Sequence, residues 1–190
     1  AKPNATRDGI YPAINIQQYL GAGSFAPNNI VIGFDDRIHT AVDAPFVRNI
    51  ISGNGGRGVA IATLAGATLA TRTNNIVVAG NYIGVDATGN VALPNGTFSA
   101  ALTFSTGAGV TLNSVTSCRV GTDSDGVEDA FERNVISGNL NGAGVYLVSN
   151  NFTVSNNTVA GNYIGVGANG TTALGNGNSG VYINSNGNGA

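Results

Sequence analysis

The chain has 190 residues, 42% of them hydrophobic and only 9% charged, with a formal net charge of −2. It is too apolar to be a disordered segment, and it has no basic run to hold a nucleic-acid backbone. No apolar stretch approaches the ~20 residues of a membrane span, so one folded domain, residues 1–190, is the expectation at this length.

The 29 Gly are about twice ordinary usage, without a collagen-like period. Asn often follows them, as in Gly53-Asn54, Gly80-Asn81, Gly138-Asn139 and Gly161-Asn162. Both residue types tolerate left-handed backbone, so the chain turns often. The absence of Met, the low charge and the richness in Asn, Gly, Thr and Ser suggest an exported protein with a processed N-terminus, secreted or at the cell surface.

Residues 1–28 form an atypical first coil or cap. Asn4-Ala5-Thr6-Arg7-Asp8-Gly9 resembles a later loop at Asp86-Ala87-Thr88. Pro12 to Leu20, followed by Gly21, reads either as a short capping helix or as a strand over Ala13-Ile14-Asn15-Ile16, in register with Gly180 to Ile183; the strand is preferred. From residue 29 onward the apolar runs are short, β-branched and bounded by turns: Ile30–Gly33, Asn49–Ile51, Gly58–Ile61, Ile76–Val78, Gly109–Leu112, Gly144–Leu147 and Gly180–Ile183. That is strand chemistry.

These runs belong to a repeat. Arg48-Asn49-Ile50-Ile51-Ser52-Gly53-Asn54 returns as Arg133-Asn134-Val135-Ile136-Ser137-Gly138-Asn139, an offset of 85 (139 − 54). Ala79-Gly80-Asn81-Tyr82-Ile83-Gly84-Val85 returns identically at Ala160 to Val166, an offset of 81 (161 − 80). Two super-repeats are expected, 29–110 and 111–190. Near-identical turns at fixed positions exclude a flat sandwich and favour an all-β solenoid, a parallel β-helix whose successive coils stack like residues ~4.8 Å apart. At about 20–25 residues per coil, some eight coils are expected. Inward Ile, Val and Leu form the core, and truncating Ile136 or Ile164 to Ala should cost ~2–5 kcal/mol. Asn54, Asn81, Asn139 and Asn162 are candidates for a structural Asn ladder.

The pattern resembles bacterial right-handed parallel β-helix repeat proteins of secreted and surface-anchored polypeptides. The likeness rests on Val120-Gly121-Thr122-Asp123-Ser124-Asp125-Gly126 and on the repeated segments above, and it covers about residues 29–183. It implies the solenoid fold of pectin-degrading enzymes but not their activity.

The sharpest chemical motif is the acidic stretch from Asp123 to Glu132. With Gly126 at the turn, Asp123, Asp125, Asp129 and Glu132 fall where a calcium loop places oxygen ligands, and Val127 offers its carbonyl. Against calcium stand Gly121 at the first ligand position and the absence of evident flanking helices. The other reading is a solvated acidic turn. The matching loop, Gly33 to Arg48, keeps Asp35, Asp36 and Asp43. Several coils are expected to separate Asp35 from Asp123 and Asp36 from Asp125, too far for a catalytic pair. Arg119 and Arg133 flank the acidic loop. His39 reads as an exposed loop residue, and Cys118, the only Cys, as a small buried hydrophobe. Tyr82 and Tyr163 should face outward, as ligand or interface residues. Five Asn-x-Thr triplets, at Asn4, Asn95, Asn151, Asn156 and Asn169, are expected by chance in so Asn-rich a chain.

No catalytic residues are assigned and no cofactor is required, with calcium the one candidate. The expected function is a non-enzymatic structural module that stacks end to end with copies of itself into a fibre, sheath or surface layer. A polysaccharide-binding adhesin segment and a polysaccharide lyase or hydrolase are the alternatives. The first is preferred because the start and finish of the chain share a repeat phase and the last strand is followed only by a polar tail.

Overall fold

The computed structural model describes residues 12–17, 25–96 and 107–185. Asn4 to Gly9 and Leu20 lie outside them. The described residues are mostly β, in strands of two to four residues: β1 (Ile14–Gln17), β2 (Ile30–Gly33), β3 (Ile50–Ile51), β4 (Val59–Ala62), β5 (Ile76–Ala79), β6 (Tyr82–Ile83), β7 (Val110–Asn113), β8 (Arg119–Gly121), β9 (Val135–Ile136), β10 (Val145–Val148), β11 (Thr158–Ala160), β12 (Tyr163–Ile164) and β13 (Val181–Asn184). Two helical turns, α1 (Ala44–Val47) and α2 (Asp129–Glu132), occupy matching places in the two super-repeats.

The strands form three wholly parallel sheets. Sheet A runs β1-β4-β7-β10-β13, sheet B β2-β5-β8-β11 and sheet C β3-β6-β9-β12. The chain passes through B, C and A in turn and then returns to B one level further on. Residues 14–17 are therefore a strand, in the same sheet as β13.

One circuit is longer than the expected 20–25 residues. On sheet B, Val31 pairs with Val77, Val77 with Arg119 and Arg119 with Thr158. The steps are 46 (77 − 31), 42 (119 − 77) and 39 (158 − 119) residues. The described residues thus build four full levels plus β1, not eight, and each super-repeat of 81–85 residues spans two levels. The extra residues sit at the corners, which the short apolar runs did not reveal. The expected super-repeat boundary at 110/111 falls inside β7.

Inward positions stack into columns: Ile32, Val78, Val120 and Val159 on sheet B; Ile51, Ile83, Ile136 and Ile164 on sheet C; Val59, Val110, Val145 and Val181 on sheet A. Members in the middle levels are fully buried, Ile83, Ile136, Val78 and Val110 among them. Each such side chain contributes about 1.5–3 kcal/mol. Cys118 joins this core, and burial pushes its thiol up to about 11.

The corners alternate between levels. Between sheets B and C, β2 and β8 are followed by long loops, residues 34–49 and 122–134, whereas β5 and β11 pass almost directly into β6 and β12. Between sheets C and A the order reverses: β6 and β12 carry hairpins, bridged at Val85–Ala92 and Val166–Ala173, and the other levels do not. With the intervening level bare, insertions two levels apart meet. The two hairpins bond through the Ala168 N–H to the Gly89 carbonyl at 2.9 Å.

Candidate functional site

The same contact rule brings the two B-to-C loops together and creates the most highly charged region of the described structure. Phe34, fully buried, packs against Phe131 with ring centroids 5.8 Å apart. The Ala41 N–H donates to Glu128 Oε1 at 2.9 Å. Gly80, at the bare corner between them, donates its N–H to the Glu132 carbonyl at 2.7 Å. A β-carbon on Gly80 would lie 2.7 Å from both Phe34 Cβ and the Phe131 carbonyl, so the bare corner needs glycine for the loops to close over it.

Six carboxylates converge there. Asp35, Asp36 and Glu132 each offer an oxygen within 4.8 Å of the others, as do Asp36, Asp123 and Asp125, and Asp123, Asp129 and Glu132. Two guanidinium groups partly offset them. Arg37 forks onto Asp35 at 2.8 and 2.5 Å. Arg119, pointing outward from β8, donates to Glu132 Oε2 at 2.6 Å and lies 3.6 Å from Asp35 and 3.9 Å from Asp123. Burial opposes ionisation of Asp35, yet the bonds and charge of Arg37, with Arg119 behind it, hold its carboxyl below the usual range. Asp36 goes the other way, raised by burial and by the charges of Asp123, Asp125 and Asp35. Burial also raises Glu132, against its bonds from Arg119 and from the Asp123 N–H.

Two corrections to the single-loop reading follow. Asp36 and Asp125 are not several coils apart, because the super-repeat is only two levels and the level between carries no insertion. The residues expected to ring one calcium ion do not gather as one set either. Asp123, Asp129 and Glu132 meet, but Asp125 groups with Asp36 and Asp123. Asp125 Oδ1 accepts from the Val127 N–H at 2.7 Å and so shapes its own turn. A helical turn does flank the loop, α2, although it is only four residues long. His39 is not a plain exposed loop residue: its Nδ1 accepts from the Asp35 N–H at 3.2 Å and its ring packs on Phe34.

Tyr82 and Tyr163 lie on the outer face of sheet C, but the Arg48 and Arg133 guanidinium carbons cover their rings, 4.5 and 4.4 Å from the centroids. Arg133 is held there by a 2.9 Å bond from Nε to the Gly161 carbonyl. Hairpin glycines close on the same rings: a β-carbon at Gly89 would lie 2.8 Å from the Tyr82 ring. The recurrence of Arg48 as Arg133 therefore has a structural cause: each guanidinium covers its half-buried tyrosine ring.

The four expected ladder asparagines stack in two ladders, at different corners. One runs Asn49, Asn81, Asn134, Asn162, with Nδ2-to-Oδ1 bonds of 2.9, 3.2 and 2.8 Å. The other runs Asn54, Asn95, Asn139, Asn176, with bonds of 2.8, 2.9 and 2.9 Å. Asn95, nominally a glycosylation triplet, is fully buried in the second ladder. Asn49, Asn134 and Asn95 escaped the sequence reading because none follows a Gly, and Asn176, which follows Gly175, lies outside the two segments that recur.

A groove of about 380 Å³ follows the outer face of sheet A, lined by Asn15, Gln17, Arg57, Thr111, Asn113 and Tyr146 among others, and no carboxylate lines it. It is thus separate from the acidic corner. The molecule is, as a class, a mostly β protein of stacked parallel sheets, and no helix among the described residues is long and apolar enough to cross a membrane. No family model, curated protein or solved structure matches the chain.

Proposed function

We propose that the chain is a right-handed parallel β-helix that acts as a non-enzymatic structural module, stacking end to end with copies of itself into an extracellular fibre, sheath or surface layer. The right hand follows from the general preference of parallel crossovers. One observation carries the assembly reading: the outermost described levels are complementary in phase on sheets B and C. The level of β11, β12 and β13 has the bare B-to-C corner and the C-to-A hairpin, so the level that continues the alternation is of the β2, β3, β4 type. The ladder ends also match. Asn49 Oδ1 has no donor among the described residues, and the Asn162 N–H has no acceptor there, whereas the equivalent Asn81 N–H donates to Asn134 Oδ1 at 3.0 Å. Placing β2 and β3 of one copy on β11 and β12 of another pairs these groups. On sheet A, where β1 already covers the edge of β4, β1 has to yield that edge to β13, and repetition of this heterologous contact gives an open filament. The low charge and Asn-rich, Gly-rich composition support an exported location.

Sedimentation velocity over a hundredfold concentration range, with negative-stain microscopy, tests this. Growing end-to-end species are expected, and Val181→Lys at the end of the core column should abolish them while leaving the far-ultraviolet circular dichroism unchanged. A strictly monomeric wild type at every concentration would defeat the proposal. Polysaccharide binding is a second reading, favoured by the polar lining of the sheet A groove, which includes Tyr146, itself stacked on Tyr182 at 5.5 Å. A glycan array with Tyr146→Ala as control tests it, and no retained glycan rejects it.

A further inference from the structure

We infer that the acidic corner is a divalent-cation site shared by both B-to-C loops, with Asp36 and Glu132 as its principal ligands and calcium as the ion it suits. The geometry is that of facing loops from different super-repeats: Asp35, Asp36 and Glu132 offer oxygens within 4.8 Å of one another. Two independent features point to a ligand there. Glu132 is fully buried, and with Oε2 occupied by Arg119 and the Asp123 N–H, its Oε1 is a buried acceptor with no donor. Asp36 Oδ1 is likewise buried without a partner. A buried, unpaired carboxylate oxygen is costly, and two such oxygens on carboxylates of one cluster are what a bound cation would satisfy.

The charge balance agrees. Six carboxylates (Asp35, Asp36, Asp123, Asp125, Asp129 and Glu132) face Arg37 and Arg119, which leaves a formal excess of four negative charges (6 − 2). Arg119 is engaged with Glu132 Oε2 and lies beyond hydrogen-bond reach of Asp35 and Asp123. Its closest contact is thus with Glu132 Oε2, which leaves Glu132 Oε1 and Asp36 Oδ1 without a hydrogen-bond donor. An all-oxygen, carboxylate-rich set on flexible loops favours calcium, which accepts six to eight oxygens in irregular geometry, with water completing the shell. Magnesium demands a stricter octahedron and gives up water reluctantly. The ion would tie the two super-repeats together at one corner, so binding should raise thermal stability.

The test uses protein stripped with EDTA and exchanged into metal-free buffer. Calcium chloride and magnesium chloride are titrated separately by calorimetry, with melting temperature as a second readout. The wild type should bind one calcium with heat and a rise in melting temperature, and bind magnesium at least tenfold more weakly. Asp36→Asn, half-buried and so tolerant of substitution, should lose at least tenfold in calcium affinity, and Glu132→Gln should do the same. Absence of both heat and thermal shift in the wild type would overturn the inference. So would wild-type affinity in Asp36→Asn alongside loss in Asp129→Asn, since the ion would then sit within the 122–134 loop alone.

Discussion

Replacing Asn81 with Ala removes the most connected side chain in the first ladder. Asn81 is fully buried, and its amide links three levels. Nδ2 donates to the Ile32 carbonyl at 2.7 Å, to the Ala79 carbonyl at 2.9 Å and to Asn134 Oδ1 at 3.2 Å. Oδ1 accepts from Asn49 through Nδ2 at 2.9 Å and the backbone N–H at 3.2 Å. A net hydrogen bond contributes about 0.5–1.5 kcal/mol, and buried groups left without partners cost more. Three buried donations, together with the cavity left by the amide, give an expected loss of about 3–5 kcal/mol. Asn49→Ala, at the exposed end of the ladder, severs the Nδ2 link to Asn81 and a long, exposed 3.4 Å bond to the Val47 carbonyl, and should cost about 1 kcal/mol. Urea unfolding followed by circular dichroism near 218 nm measures both. With a slope of roughly 2–3 kcal/mol per molar, the Asn81 variant should unfold at least about 1 M earlier than wild type. If the two variants fall within about 1 kcal/mol of each other, the ladder does not hold the levels together as argued.

Three further outcomes follow from the stacking. Gly121 has φ +99°, and a β-carbon there would sit against the Ala160 carbonyl and the Asn162 amide, whereas Gly126, at φ +88°, has nothing within 4 Å. Gly126→Ala should therefore cost only the ~1–2 kcal/mol of left-handed backbone, and Gly121→Ala at least about 2 kcal/mol more by the same urea assay; equal costs would contradict the close approach. Ile136→Ala, fully buried in a middle level, should fall in the upper part of the ~2–5 kcal/mol range, and Ile164→Ala, half-buried at the last level, near its foot; the reverse order in urea midpoints would refute the column. The Cys118 thiol, raised from 9.0 to about 11, keeps its proton in the folded state where the unfolded chain has lost it, so its stabilisation is complete below pH 9 and lost as pH rises through 11. About 2–3 kcal/mol is at stake, and Cys118→Ala should flatten that part of the stability–pH curve; an unchanged slope would show that the thiol is not the source.

The strands were legible in the residues because burial selects for apolar side chains wherever it occurs. Every apolar run from Ile30 to Ile183 became a strand, shifted by a residue at most. β8 and β11 were less visible, since Arg119 and Thr158 occupy outward positions that need no hydrophobe and break the apolar run. The ladders were half legible. Gly-Asn pairs mark both the B-to-C corner, at Asn81 and Asn162, and the C-to-A corner, at Asn54 and Asn139, so one dipeptide stood for two places. The acidic corner was the least legible. The Asp123 to Glu132 motif could be seen, but its nearness to Asp35 and Asp36 depends on the bare Gly80 corner of the level between.

By itself the sequence determined that the protein is built of repeated short strands and turns, which apolar runs form its core, and half of the side chains in its corner stacks. Local preference and burial act residue by residue, and both leave a periodic trace. Only the tertiary structure decided how many residues make one circuit, which insertions face each other, and where the carboxylates converge. Those depend on the stacking of alternate levels across 81–85 residues, and stacking distance in space has no signature in the spacing along the chain.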